Sequence, residues 1–172
     1  MKRDRLLYDG YLKIEETKDV IKGKVVKRER LIAADAVAAI LIDESGRFGL
    51  VKQYRPTVDR YTYELVAGTC DKEMSDADIL LEEIYEECEI SPEDVLELKS
   101  IHQYYVMIGI SNTKLNLFAA SVRNQTDKQV SDADVEEVIW VTMGEFARMV
   151  EQGDIQDSKT LLGYYYALAM GL

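Results

Sequence analysis

The sequence predicts an α+β domain: a mixed sheet with helices packed on it, and an antiparallel strand segment in front. Three observations predict it. Strand-like runs bounded by turn residues fill the middle of the chain. Helical periodicity is confined to a block after Gly68 and to the C-terminal residues. The length of 172 residues, nearly half of them hydrophobic and only two of them proline, suits one layered domain with a substantial core rather than a disordered chain. Residues 1–34 read as the N-terminal strand segment and residues 35–172 as the main domain.

Asp9-Gly10 marks the first turn, and residues 11–17 alternate moderately; Lys22-Gly23 marks the second, and residues 24–31 alternate weakly. This opening is polar for a core element, which places it at the domain edge or against a partner subunit. Residues 37–42 are an apolar run, Asp43-Glu44-Ser45-Gly46 supplies a turn, and residues 48–54 complete a hairpin that Pro56 interrupts. Residues 61–66 form a short strand closed by Gly68. Ser75 then starts a helix, with Asp78 three residues on to complete a capping box. Ala77, Leu80, Leu81, Ile84 and Cys88 recur at helical spacing and form its apolar face, and Ser91-Pro92 ends it. Residues 96–106 read as one long or bulged aromatic strand, residues 114–122 as an alternating strand, residues 124–134 as a polar loop and residues 135–141 as the last strand. Thr142 and Glu145 make a second capping box for a short helix through Val150, and residues 158–170 form a final helix stopped by Gly171. Tyr164-Tyr165-Tyr166 is expected to pack this helix on the sheet. Tyr104, Tyr105 and Phe118 are expected in the core or on the sheet surface, one of them available to stack on a base, and His102 is read as structural or solvent-facing.

The formal net charge of −11 repels nucleic-acid backbones and anionic membranes, so neither is an expected partner. Positive charge gathers early, in Lys18, Lys22, Lys24, Lys27, Arg28 and Arg30, whereas the balance turns acidic after residue 60. Cys70 and Cys88 are too few for a disulfide framework, and one histidine, His102, leaves no convincing zinc set; both thiols are expected reduced and partly buried. No apolar leader and no run of membrane-spanning length is present, and a cytoplasmic protein is the expectation.

The block Glu82-Glu83-Ile84-Tyr85-Glu86-Glu87-Cys88-Glu89 holds five glutamates and no lysine or arginine. Glu86 and Glu87 follow Glu83 at i+3 and i+4, so the three carboxylates share a side that is largely separate from the apolar face. Like charges so spaced cost a few tenths of a kcal/mol per pair, roughly, on an exposed helix. A hard divalent cation reverses that sign, because it takes oxygen ligands and neutralises them. A merely solvated acidic face is the plain alternative.

From Gly68 to Ile90 the chain resembles the box of the Nudix hydrolases, G-x5-E-x7-R-E-U-x-E-E-x-G-U with U a bulky aliphatic. Gly68, Glu83, Ile84, Glu86, Glu87 and Ile90 match it; Met74, Glu82 and Glu89 stand where the pattern has glutamate, arginine and glycine. Val51-Lys52-Gln53-Tyr54-Arg55-Pro56, Tyr63-Glu64-Leu65-Val66-Ala67-Gly68 and residues 154–160 are similar to segments of the branch that cleaves ADP-ribose and UDP-sugars. The resemblance implies an α/β/α sandwich and Mg²⁺, with Mn²⁺ as a substitute, at Glu83, Glu86, Glu87 and Gly68. It implies hydrolysis of a nucleoside diphosphate sugar to a nucleoside monophosphate and a sugar phosphate, and a homodimer whose N-terminal strands help build the sites.

The three departures carry an alternative: a catalytically impaired domain kept as a nucleotide-sugar binding or interaction module. Glu89 in place of glycine is expected to deny the helix its left-handed end. Arg55 is read either as a phosphate contact or as the partner of Glu64, and Glu64 as that partner or a further carboxylate beside the metal. Arg28 and Arg30 are read as surface charges or as groups reaching the partner's site. For the general base the polar loop offers Asp132, Asp134, Glu136 and Glu137, with Glu137 or Asp134 favoured.

Overall fold

The structure, a computed structural model, describes residues 5–10 and 12–172; Tyr11 and residues 1–4, which the sequence reading placed in the N-terminal segment, lie outside them. Strands β1 (Arg5–Asp9), β2 (Lys13–Ile21) and β3 (Lys24–Ile32) form an antiparallel sheet in that order. Lys22 and Gly23 both take positive φ, 50° and 77°, and pair Ile21 directly with Lys24. That is the two-residue turn whose twist suits a hairpin. The small sheet meets a turn of the main domain where the Leu31 amide donates to the Ile110 carbonyl at 2.8 Å. Leu6, Tyr8, Leu12, Val20 and Val25 remain exposed on it.

The main sheet comprises β4 (Ala36–Asp43), β5 (Phe48–Arg55), β6 (Arg60–Glu64), β7 (Val66–Thr69), β8 (Val95–Tyr105), β9 (Lys114–Val122), β10 (Lys128–Gln129) and β11 (Val135–Val141). Its order is β10-β11-β5-β4-β9-β8; β4 and β9 run parallel, and every other pair is antiparallel. The sheet forks. β4 pairs with β5 only through Leu41 and Ile42, then with β7 through residues 36–39, while β5 turns to β6 through residues 51–55. The single strand read over residues 61–66 is therefore two strands broken at Leu65, and the break carries Glu64 and Gly68 into the fork.

Alternation on β4 sets up the layers. Val37, Ala39 and Leu41 join one buried cluster with Ile79, Leu80, Ile84 and Cys88 of helix α1 (Asp76–Cys88). Ala38 and Ile40 join the other with Phe146 of α2 (Met143–Gln152) and Tyr164 and Ala167 of α3 (Ser158–Met170). A strand buried on both faces reads as an unbroken apolar run, as residues 36–42 do. The result is the expected α/β/α sandwich. Tyr164 packs into the core, whereas Tyr165 is exposed.

Cap chemistry departs from expectation at α1. Ser75 accepts from the Asp78 amide at 3.2 Å, but the Asp78 carboxylate takes the Ser75 hydroxyl at 2.7 Å rather than the Ser75 amide, being one methylene too short for the reciprocal bond. Thr142 and Glu145 do close a full capping box on α2. No helix among the described residues is long and apolar enough to cross a membrane.

Candidate functional site

The fork gathers charge. Glu64, 3% exposed, takes two parallel hydrogen bonds from Arg55, Nε to Oε1 at 2.8 Å and Nη2 to Oε2 at 2.7 Å, and one from the Thr62 hydroxyl at 2.6 Å. Lys159, buried at the first turn of α3, also bonds Glu64 and pairs with Asp157 at 3.0 Å. Burial pushes the Glu64 carboxyl up, but the Arg55 and Lys159 charges and the Thr62 bond outweigh it and hold the group at about 2. Thr160 completes the clasp. Its hydroxyl donates to Asp157 at 2.6 Å and accepts from the Leu65 amide at 2.9 Å, fastening α3 to the break between β6 and β7. A cleft of about 400 Å³ opens beside this network, lined by Arg55, Arg60, Thr62, Gln156, Asp157 and Lys159 among others. Of the two readings of Arg55 the geometry realises the Glu64 pair. The sequence missed Lys159 as a charge partner; the likeness over residues 154–160 was the available signal.

The three glutamates of α1 are not equivalent. The Glu83 side chain lies so close to Gly68 that a Cβ added there would overlap its carboxylate. Glu87 accepts from the Ala67 amide at 3.3 Å. Glu86 points outward and is exposed. Burial and the Glu86 charge raise the Glu83 carboxyl. Burial, with the Glu83 and Asp132 charges, pushes Glu87 up to about 8, against the Ala67 amide and Lys159, which favour its ionised form. Two inner carboxylates, each crowded by negative charge and seated on a strand whose glycine leaves room for them, suit a hard divalent cation in donor chemistry. Among the described residues, however, no three such side chains stand together as a ready metal cage.

Around this pair the supporting residues are rearranged. Glu82, at the box's arginine position, is bonded by Lys72 from the loop before α1. Glu89 does adopt the left-handed conformation, at φ 48°, ψ 40°, and its amide caps the Ile84 and Tyr85 carbonyls, contrary to the expectation for a non-glycine residue. Tertiary bonds offset the strain: the Ser131 amide and hydroxyl donate to Glu89 Oε1 at 3.2 and 2.8 Å, and Lys128 donates to its carbonyl at 3.1 Å. Glu89→Gly is therefore expected to leave stability within about 1 kcal/mol, relieving strain while losing two bonds. The same change frees the loop, and faster amide hydrogen exchange at Ser131 is the signal to measure; unchanged exchange would show that the loop does not depend on this cap.

The loop carboxylates separate clearly. Glu136 and Glu137 both hold Lys52, at 2.8 and 3.0 Å, and Glu137 also accepts from Gln129 at 3.3 Å. Asp134 contributes its amide to Asp132 Oδ1 at 2.8 Å, and Val135 does likewise at 2.9 Å. Asp132 is the loop carboxylate whose charge reaches Glu83 and Glu87. In the N-terminal sheet Arg30 donates to Glu15 at 2.8 Å, and Arg28 lines a groove with residues 108–112. His102 is exposed and stacks against Tyr104 and Tyr166. Both cysteines are free; burial pushes Cys70 up to about 11 and Cys88 further, which keeps both protonated.

The family model for the NUDIX domain matches residues 33–162. The ADP-ribose pyrophosphatase of Bacillus subtilis (strain 168) is 26% identical over 153 residues, which cover 88% of this chain and 81% of the relative. The methanol dehydrogenase activator of Bacillus methanolicus is 23% identical over 146 residues, covering 84% of this chain and 77% of the relative.

Proposed function

The chain belongs to the Nudix family, whose fold in general serves hydrolysis of phosphate-containing substrates, and on that premise we propose that it binds a nucleoside diphosphate sugar and hydrolyses its diphosphate only weakly. The observation that carries the impairment is the site itself. The positions that support the carboxylates in the box pattern are changed: Met74 stands at one, and Glu82, at the arginine position, is tied to Lys72 instead. Loss of supporting groups around metal ligands costs about 10–100-fold in affinity or activity. The ligand class is supported by the ADP-ribose pyrophosphatase relative and by the segments around Arg55, Glu64 and residues 154–160.

Glu83, Glu86 and Glu87, beside Gly68, are the residues that would hold Mg²⁺ or Mn²⁺, which when bound supplies electrostatic polarisation of the phosphoryl oxygens. Arg55 keeps Nη1 for a substrate phosphate while Glu64 fixes the rest of its guanidinium; Arg55 and Glu64 thus act together at the cleft. For the general base we favour Asp132 over Glu137 and Asp134. Both amides bonded to it take Oδ1, leaving Oδ2 to draw the proton from an attacking water, whereas Glu137 is committed to Lys52. A fully active pyrophosphatase is the second reading, favoured by Glu83 and Glu87 both lying against the Ala67-Gly68 strand, where burial and neighbouring carboxylates raise the two carboxyls and a divalent cation would relieve them.

Calorimetry with ADP-ribose, UDP-glucose and GDP-mannose, with and without Mg²⁺, is expected to show binding of at least one. Release of nucleoside monophosphate is expected well below the roughly 1–10³ per second usual for enzymes. Turnover in that range supports the second reading instead, and no binding of any of the three sinks the ligand class. The small N-terminal sheet, with apolar residues exposed and Arg28 on its third strand, is the surface we assign to a homodimer contact. A monomer in light scattering at micromolar concentration would remove that assignment.

A further inference from the structure

Every glutamate at the end of α1 has to be compensated from outside the helix, because no lysine or arginine lies between residues 76 and 90. Glu89 is served by Ser131 and Lys128, and Glu87 feels Lys159 from across the sheet. The other three share a cation from the loop before the helix. Lys72, on the loop joining β7 to α1, bonds the Glu82 carboxylate, and its charge acts on Glu83 and Glu86 as well. The loop is itself anchored, with the Cys70 amide donating to the Asp35 carbonyl at 2.8 Å and the Asp71 amide to the Thr69 carbonyl at 3.0 Å. The ammonium is thus delivered to the acidic helix by a short tether from the strand that seats Glu83.

We propose that Lys72 is a tethered counter-cation of the acidic helix, which opposes the entry of a divalent cation at Glu83, Glu86 and Glu87. The proposal rests on those glutamates being the metal ligands. It goes further by assigning part of the weak activity to a residue outside the box pattern. Unit and double positive charges several ångströms apart near a solvated surface repel by an amount worth about fivefold in affinity, and salt screens it over about 10 Å at 0.1 M. A residue that merely held the glutamates in place would have the opposite sign, since its removal would weaken metal binding.

Titration calorimetry with Mn²⁺ on the full chain separates these cases. Lys72→Met is expected to bind Mn²⁺ about fivefold more tightly than wild type at low ionic strength, with the gain shrinking in 0.5 M salt, roughly as screening requires. Lys72→Arg is expected to match wild type, and circular dichroism confirms that the helix persists in each variant. Equal or weaker binding by Lys72→Met, with wild type still binding, overturns the proposal and leaves the metal ligands standing. Absence of binding by both proteins overturns the proposal together with the ligand assignment.

Discussion

Glu64→Ala is expected to destabilise the protein by about 2–4 kcal/mol, because it removes a buried carboxylate that three donors share and weakens the compensation of a buried lysine. The substitution leaves Lys159, whose side chain is 11% exposed, with Asp157 alone, and takes from Arg55 and Thr62 the carboxylate they both bond. It also removes the charge that ties the first turn of α3 to β6. The same carboxylate makes stability depend on pH. Its folded value of about 2 lies below the ordinary 4.5, so its contribution is present above the unfolded value and is lost as pH falls from 4.5 through 2. That shift corresponds to about 3 kcal/mol. Urea unfolding at pH 7 and at stepwise lower pH is the measurement. Wild type is expected to lose stability steeply below pH 4.5, and Glu64→Ala to follow a flatter course from a lower start. A loss under about 1 kcal/mol at pH 7 would mean that Asp157 and water satisfy Lys159 without Glu64.

Much of the fold was legible because its signals are local. The apolar run over residues 37–42, the alternation over residues 114–122 and the capping pair Thr142 and Glu145 each carry their structure within a few residues. What escaped depends on distant partners. Nothing local in residues 61–66 marks a break at Leu65, because the fork is made by β4 and β5 diverging on either side of it. Glu89 departs from the sequence expectation for the same reason: glycine is the rule for a left-handed cap in isolation, and Ser131, which offsets the strain, lies 42 residues away.

Site residues follow the same division. Spacing brought Glu83, Glu86 and Glu87 to attention, but only the packing of α1 on β7 distinguishes the two inner carboxylates from the exposed Glu86. The choice among the loop carboxylates turns on a register shift in β11 between Val135 and Glu137, after which Glu137 pairs with Lys52. No periodicity argument reaches such a shift, because it is a property of two strands. Lys72 escaped because a lysine in a polar loop ordinarily means nothing, and its partner Glu82 lies on another element.

Glu87→Gln should separate the metal-free protein from its metal response. Glu87 is held at about 8 by burial and by neighbouring negative charge, above the ordinary 4.5, so its ionised form is disfavoured by folding. The sign follows: stability is greatest while the group is protonated, below the unfolded value, and falls as pH rises from 4.5 through 8. Glutamine keeps the shape and an oxygen to accept the Ala67 amide, but carries no charge. At pH 8 the metal-free variant is expected to be more stable than wild type by about 2–4 kcal/mol, short of the full shift because the folded carboxyl is still partly protonated at that pH and water relieves part of the cost. For a chain of this size that raises the melting temperature by about 4–16 °C. Added Mn²⁺ is expected to stabilise wild type and to have little effect on Glu87→Gln, since the amide is a poorer ligand for a hard cation and brings no charge to neutralise. Thermal melts of both proteins at pH 5 and pH 8, with and without Mn²⁺, test each part. A variant less stable than wild type at pH 8 would show that Glu87 is ionised and satisfied in the folded chain, and an undiminished Mn²⁺ response would remove Glu87 from the ligands.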